Sequence, residues 1–362
     1  MANIYDFIKW RGDLTFAADE FHVIDALVFA LLSYVELDGM LSGSGECITI
    51  HDAAVRYFEL HERDEKKDNR EFLTRVPYLL EAAGNCERYG SIEMSDYEDV
   101  VDPERSLQMA AVTFHLPDGA DFVSFRGTDN TIAGWKEDLE ISLGSTEGQK
   151  MCAQYLDRVC AGTNREIRIG GHSKGGNFAQ YAAGFCSREV QNRIRKVYSL
   201  DGPGLHESLK QTDDFARVEE RIFKVVPEQS MIGMIFSDGD EDLVVKSTAF
   251  GIMQHDAFTW QIEGKEFICT GKVADSSLYF RNLIRNWLAQ VDEEKREMFI
   301  DLLFSFLEAT GASTFKEVYG SAGASLAKML PLLKNVDDSR KKEFEQVLRA
   351  LAESAVTSRA AE

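Results

Sequence analysis

Ile167-Arg168-Ile169-Gly170-Gly171-His172-Ser173-Lys174-Gly175-Gly176-Asn177-Phe178 is the stretch from which the rest of the chain is best read. Ile167 and Ile169 predict a short strand, and Phe178, Tyr181, Ala182 and Phe185 then recur at helical spacing. Between them, Gly171-His172-Ser173-Lys174-Gly175 fits the pattern Gly-x-Ser-x-Gly. In a strand-to-helix setting this pattern forms a strained turn, a nucleophile elbow, that holds a serine hydroxyl clear of the sheet. Glycine is needed on either side of the serine because a side chain there would strike the neighbouring strand or helix. The helix N-terminus supplies free N–H groups and a positive dipole end where a negative oxygen would form. The plainer reading is a glycine-rich turn whose serine caps the helix.

Working outward, Ala110–His115 and Asp121–Phe125 are apolar, β-rich runs joined by the turn residues Leu116-Pro117-Asp118-Gly119, which predicts a hairpin. Arg126-Gly127-Thr128-Asp129 follows directly, and a helix is expected at about 149–161, with Met151, Tyr155, Leu156 and Val159 on its apolar face. After the elbow helix come further strands at 196–200, 221–226 and 243–247. Strand and helix alternate, which implies a mostly parallel sheet covered by helices, an α/β architecture. Before this core, apolar spacing predicts helices over 21–33, from Thr49 onward, and over 72–83, with the charged run 61–71 as a solvated turn. From Asp275 the pattern is helical, over 278–291, 294–309, 326–333 and 341–355. The expected division is an N-terminal helical segment (1–90) packed on an α/β core (91–274), followed by a helical extension or cap (275–362).

Composition narrows the function. The chain has 362 residues, 44% apolar and 28% charged, with a net charge of −21. That charge disfavours nucleic acid and anionic membranes through long-range repulsion. The opening Met-Ala-Asn-Ile-Tyr-Asp lacks the basic start and apolar run of a secretory signal, and the apolar stretch 23–35 is shorter than the roughly 20 residues of a membrane span. Six cysteines without Cys-x-x-Cys spacing signal neither a zinc site nor a disulfide framework. The expectation is a reduced, cytoplasmic protein with a small-molecule acyl substrate, no cofactor, no nucleic-acid partner and no integral membrane association.

A serine hydroxyl needs a base within hydrogen-bond reach, itself oriented by a carboxylate. In α/β-hydrolases these follow the nucleophile in the order acid, then histidine. Of seven histidines only His206 and His255 follow Ser173. His206 lies too close behind Asp201 for a further strand to intervene, so His255 is the expected base. Asp201 and Glu228 both stand at strand ends, and either suits the acid. The oxyanion site is expected from the N–H groups of Lys174 and of Thr128, whose hydroxyl is also available. The Lys174 side chain is expected to be exposed or paired with an acid, and His172 to pack beside the elbow. Apolar segments 231–236 and 250–253 would line an acyl pocket or simply fill core, and the C-terminal helices would cap it.

Phe125-Arg126-Gly127-Thr128 with Gly134-Trp135 and Asp138-Leu139 resembles the oxyanion-loop signature of fungal-type (class 3) lipases. More closely, the chain resembles a bacterial family of unknown function, the Mbeg-like proteins. The matching pieces include 9–14, 125–129, 134–138, 170–177, 198–204, 227–234 and 254–256 with Trp260. This resemblance implies an α/β-hydrolase fold with Ser173 and His255 in catalytic places and Thr128 in the oxyanion loop. Class 3 lipases usually draw their acid from an Asp-x-Val-Pro loop, where this chain reads Val226-Pro227-Glu228, so the acid stays open between Glu228 and Asp201. The expected activity is cleavage of a carboxylic ester through an acyl-enzyme on Ser173. Amidase, thioesterase or acyltransferase chemistry uses the same groups, and a catalytically silent homologue would bind a ligand or partner in the same cleft.

Overall fold

Eight strands form one mixed sheet in the order in which they occur along the chain. They are β1 (Cys47–Thr49), β2 (Glu93–Asp102), β3 (Leu107–His115), β4 (Ala120–Phe125), β5 (Glu166–His172), β6 (Ile194–Leu200), β7 (Ile222–Pro227) and β8 (Leu243–Val245). The computed structural model describes residues 1–41, 45–63, 71–128, 132–239 and 241–309, with scattered positions between 342 and 354. β1 to β4 pair antiparallel, whereas β4 to β8 pair parallel. The helices are α1 (Ile4–Arg11), α2 (Val23–Leu32), α3 (Ile50–Leu60), α4 (Phe72–Gly84), α5 (Ile132–Glu140), α6 (Glu147–Val159) and α7 (Lys174–Phe185). Three single turns follow, α8 (Arg188–Gln191), α9 (Glu207–Lys210) and α10 (Asp213–Ala216), and then α11 (Asp275–Gln290) and α12 (Glu293–Ala309).

A sheet whose parallel strands advance one neighbour at a time puts its right-handed crossovers on one face. Here α6 and α7 occupy that face, packed on Val123, Phe125, Ile167 and Ile169. The opposite face must be covered by chain from outside the crossovers, and the N-terminal helices supply it. Phe7, Ile24, Phe29 and Leu79 join Val112, Phe114 and Phe122 in a second core. Alternate residues of β3 and β4 thus enter different cores, as the two-residue period of a strand requires. This is an α/β-hydrolase fold, with its parallel half built around the elbow strand β5.

Several elements differ from the sequence expectation, β1 and α5 among them. α1 was not expected; it is fixed by a capping box in which Asn3 accepts from Tyr5 N–H while Asp6 accepts from Asn3 N–H at 3.0 Å. β2 was not expected either, because Glu93-Met-Ser-Asp-Tyr-Glu-Asp-Val-Val-Asp102 is rich in residues disfavoured in strands. Its full-length pairing with β3 overrides that preference, and a bulge between Ser95 and Glu98, with Asp96 at φ 54°, breaks the alternation that would have exposed it. The helix expected over 326–333 lies outside the described residues, and that over 341–355 is only partly within them. No helix among the described residues is long and apolar enough to cross a membrane.

One buried cluster ties the N-terminal layer together. Asp25 is fully buried on α2, where it accepts from Arg88 Nε and Nη2 at 2.7 Å each and from the Tyr89 hydroxyl at 2.6 Å. Arg88 Nη1 also donates to the carbonyls of Leu14 and Asp19. Removing one member of such a pair leaves the other charge uncompensated in the core. Asp25→Ala is therefore expected to cost about 3–5 kcal/mol, read as a fall in the midpoint of equilibrium urea unfolding.

Candidate active site

Three backbones meet at the elbow. A Cβ added at Gly175 would lie 2.1 Å from the Phe125 carbonyl oxygen, and one at Gly171 would lie 2.3 Å from the Gly175 carbonyl carbon, so only glycine fits at either place. This approach brings the end of β4, and hence Arg126-Gly127-Thr128, beside the start of α7. Ser173 itself sits between β5 and α7 at φ 59° and ψ −133°, a strained conformation for any residue but glycine. Its N–H is held by the Leu200 carbonyl of β6 at 3.0 Å.

The structure brings Ser173, His255 and Asp201 into one hydrogen-bonded line. Ser173 Oγ lies 2.9 Å from His255 Nε2, and His255 Nδ1 lies 2.6 Å from Asp201 Oδ2. Asp201 accepts at Nδ1, so that nitrogen carries the hydrogen and Nε2 is left to accept from the serine. Asp201 follows β6 at φ 50° and is fully buried. Its second oxygen accepts from Ser230 Oγ at 2.5 Å and from Gly233 N–H at 3.2 Å, which fixes the carboxyl plane. Glu228, the other acid weighed, ends β7 without reaching His255. Its backbone N–H donates to Val245 and its carbonyl accepts from Ala274 N–H.

His255 lies in a 3-10 turn, Gly251–His255, anchored by the buried Trp260, whose indole N–H donates to the Gln254 carbonyl at 2.8 Å. His172 packs beneath it, the two rings 4.6 Å apart. Nε2 of His172 donates to the His255 carbonyl at 2.8 Å, because a carbonyl can only accept. Its Nδ1 therefore accepts from the Tyr34 hydroxyl at 3.2 Å. Burial, reinforced by the neighbouring His255, lowers the pKa of His172 to about 3, so it is a neutral support for the other ring.

Lys174 was expected to be exposed or paired; it is paired, and both it and its partner are wholly buried. Its Nζ donates to Glu137 Oε2 at 3.0 Å and to the Gln108 carbonyl at 3.1 Å. Glu137 also accepts from Gln108 N–H, Thr146 Oγ1 and Gly148 N–H. The residue after Ser173 is thereby tied to β3, α5 and α6 at once. Glu137 escaped the sequence reading; the one available signal was the acid-rich Lys136-Glu137-Asp138 run on an otherwise apolar segment. Arg126 is clamped to Asp99 of β2 by two bonds of 2.8 and 2.7 Å, so the unexpected strand holds the loop that carries Thr128.

Thr128, Lys174, Ser173 and His255 all border a cavity of about 420 Å³ whose walls are mostly apolar, among them Phe72, Leu139, Ile141, Ile232, Ile235, Ile252 and Met253. Segments 231–236 and 250–253 thus contribute two residues each, while Phe250 points outward and is 81% exposed. The C-terminal helices contribute no lining residue among those described. Within this apolar setting Thr128 Oγ1 donates to Asp138 Oδ2 at 2.5 Å, while Asp138 Oδ1 is buried with no hydrogen-bond partner among the described residues. Burial raises the pKa of Asp138 to about 6, against the opposing pull of Lys174 and the Thr128 bond.

An acid raised in this way is destabilising when ionised. The cost is absent below its ordinary value of 3.8 and complete above about 6, so this group's contribution to stability falls as pH rises through that window. Asp138→Asn removes the ionisation. The stability of the variant relative to the native chain is expected to rise between pH 4 and pH 7 by on the order of 2 kcal/mol, measured by urea unfolding across that range.

The sheet order and the strand-to-helix elbow are those of the α/β-hydrolase fold. The chain belongs to the Mbeg1-like family, whose model matches residues 83–305. No curated protein matches the sequence. Similar solved structures include a mutant form of MDLA from Penicillium cyclopium, at 14% identity over 69% of this chain and 86% of that one, with a TM-score of 0.37. A fungal lipase in complex with an inhibitor matches at 13% identity over 70% and 87%, with a TM-score of 0.38. Rhizomucor miehei lipase in a propeptide complex matches at 12% identity over 68% and 82%, with a TM-score of 0.34.

Proposed function

We propose that the protein is a serine hydrolase that cleaves a carboxylic ester of a small acylated molecule through an acyl-enzyme on Ser173. The observation that carries this reading is the continuous line from Asp201 through His255 to Ser173, with distances of 2.6 and 2.9 Å. Ser173 Oγ attacks the ester carbonyl while its proton passes to His255 Nε2, and Asp201 stabilises the imidazolium through Nδ1–H. The carbonyl oxygen becomes negative and is held by the N–H of Lys174, at the first turn of α7, with Thr128 opposite. Collapse of the tetrahedral intermediate breaks the bond to the alcohol, which leaves with the proton from His255. Water, deprotonated by the same nitrogen, then releases the carboxylic acid and restores Ser173. An apolar cavity of about 420 Å³ suits an acyl chain in preference to a charged group.

A fluorophosphonate probe is expected to label the native protein and to leave Ser173→Ala unlabelled. A folded native chain that stays unlabelled would sink the proposal. With p-nitrophenyl esters of graded acyl length, Asp201→Asn is expected to lower kcat about 10⁴-fold, because the imidazole loses its fixed tautomer. Glu228→Gln should stay within about threefold of the native rate; a loss as large as that of Asp201→Asn would reassign the acid. Amide and thioester analogues in the same assay identify the acyl bond that is cleaved.

A further inference from the structure

A second cavity, of about 390 Å³, lies on the far side of segment 232–236. Ile232 and Ile235 face the Ser173 cavity, whereas Met234 and Phe236 line the second one. The dividing turn ends at Phe236 in left-handed backbone, φ 55°. The opposite wall is formed by α11 and the start of α12.

What distinguishes this cavity is its charge. Its lining carries Lys210, Arg281, Arg285 and Arg296 against two carboxylates, Glu207 and Asp238, in a chain whose net charge is −21. Both carboxylates are already taken by Lys210, at 3.3 and 2.6 Å. No ion pair joins Arg281, Arg285 or Arg296 to a carboxylate among the described residues. Among the described residues, Arg285 and Arg296 donate to main-chain carbonyls, those of Ser237 and Ser142. The Nε atoms of Arg281 and Arg296 are buried without a partner among the described residues, and Arg296 is only 9% exposed. Burial lowers the pKa of Arg296 against the pull of Glu293 and Asp292, and burial with Arg296 nearby lowers that of His206 against the pull of Glu293 and Glu207. Beside the buried Nε atoms of Arg281 and Arg296, Arg285 is exposed, and the fork of N–H donors on an arginine matches a carboxylate or phosphate head. Met234, Ile284 and Leu288 offer an apolar surface beside that fork.

We propose that this cavity is a binding site for an amphipathic anion, a carboxylate or phosphate head bearing a short apolar chain. It is separate from the Ser173 cavity, and its test reads binding, so the result does not depend on whether Ser173 hydrolyses anything. The full chain is titrated calorimetrically with octyl phosphate, octanoate, inorganic phosphate and octanol. At least one octyl anion is expected to bind at least tenfold more tightly than either octanol or inorganic phosphate, and the ratio between the two octyl anions identifies the head group. The double variant Arg281→Gln, Arg285→Gln should weaken that binding at least tenfold. Ala289→Glu, which adds a carboxylate at an exposed position of the lining and leaves the arginines in place, should do the same and stands in if the double variant fails to fold. Absence of binding by both octyl anions, equal affinity for octanol, or variants that bind as tightly as the native chain would each overturn the proposal.

Discussion

The contact between the Phe125 carbonyl and the elbow glycines is the constraint on which the site depends. Because Gly175 has no Cβ, β4 and the first turn of α7 approach more closely than any other residue would permit. That approach sets the distance between the loop after β4 and the residue after Ser173. A wider elbow would leave Ser173 and His255 in place but separate the two sides of the pocket, the Thr128 loop and the first turn of α7. Packing of the main chain, more than any side-chain contact, therefore fixes the geometry.

The buried Lys174–Glu137 pair serves the same end from beneath. A lysine and a glutamate with no exposure carry a desolvation penalty that their mutual attraction offsets only when the remaining hydrogen-bonding capacity is filled. Here Glu137 accepts from three further donors, and Lys174 donates also to the Gln108 carbonyl with its ammonium over the Phe178 ring. A hydrophobic pair could fill that space with less penalty, but it would not lock the register of β3, α5 and α6 against the elbow. The neutral His172 plays the corresponding part for His255, holding the ring from below through its carbonyl.

Much of this was legible in the chain itself, for identifiable reasons. Glycine spacing around Ser173 encodes a backbone approach, and a backbone approach is a local property. His255 could be singled out because chain order left so few histidines downstream of the serine. The choice between Asp201 and Glu228 could not be made from the sequence, since both end neighbouring strands and only the twist and loop lengths decide which carboxyl meets the ring. β2 was hidden by its own acidity; its strand character comes from its partner. The partnership of Lys174 and Glu137 was hidden because a lysine gives no local sign that it will be buried.

Ser173 and Asp201 share an unusual property: both are non-glycine residues with positive φ, at 59° and 50°. Each such placement costs on the order of 1–3 kcal/mol, and glycine would relieve it. At these two positions the proposed reaction and a sturdier chain ask for opposite things. Under the proposed reaction, a lineage with no need of it would be free to shed the strain there first, so glycine at either place in a relative would mark a protein that keeps the architecture without that chemistry.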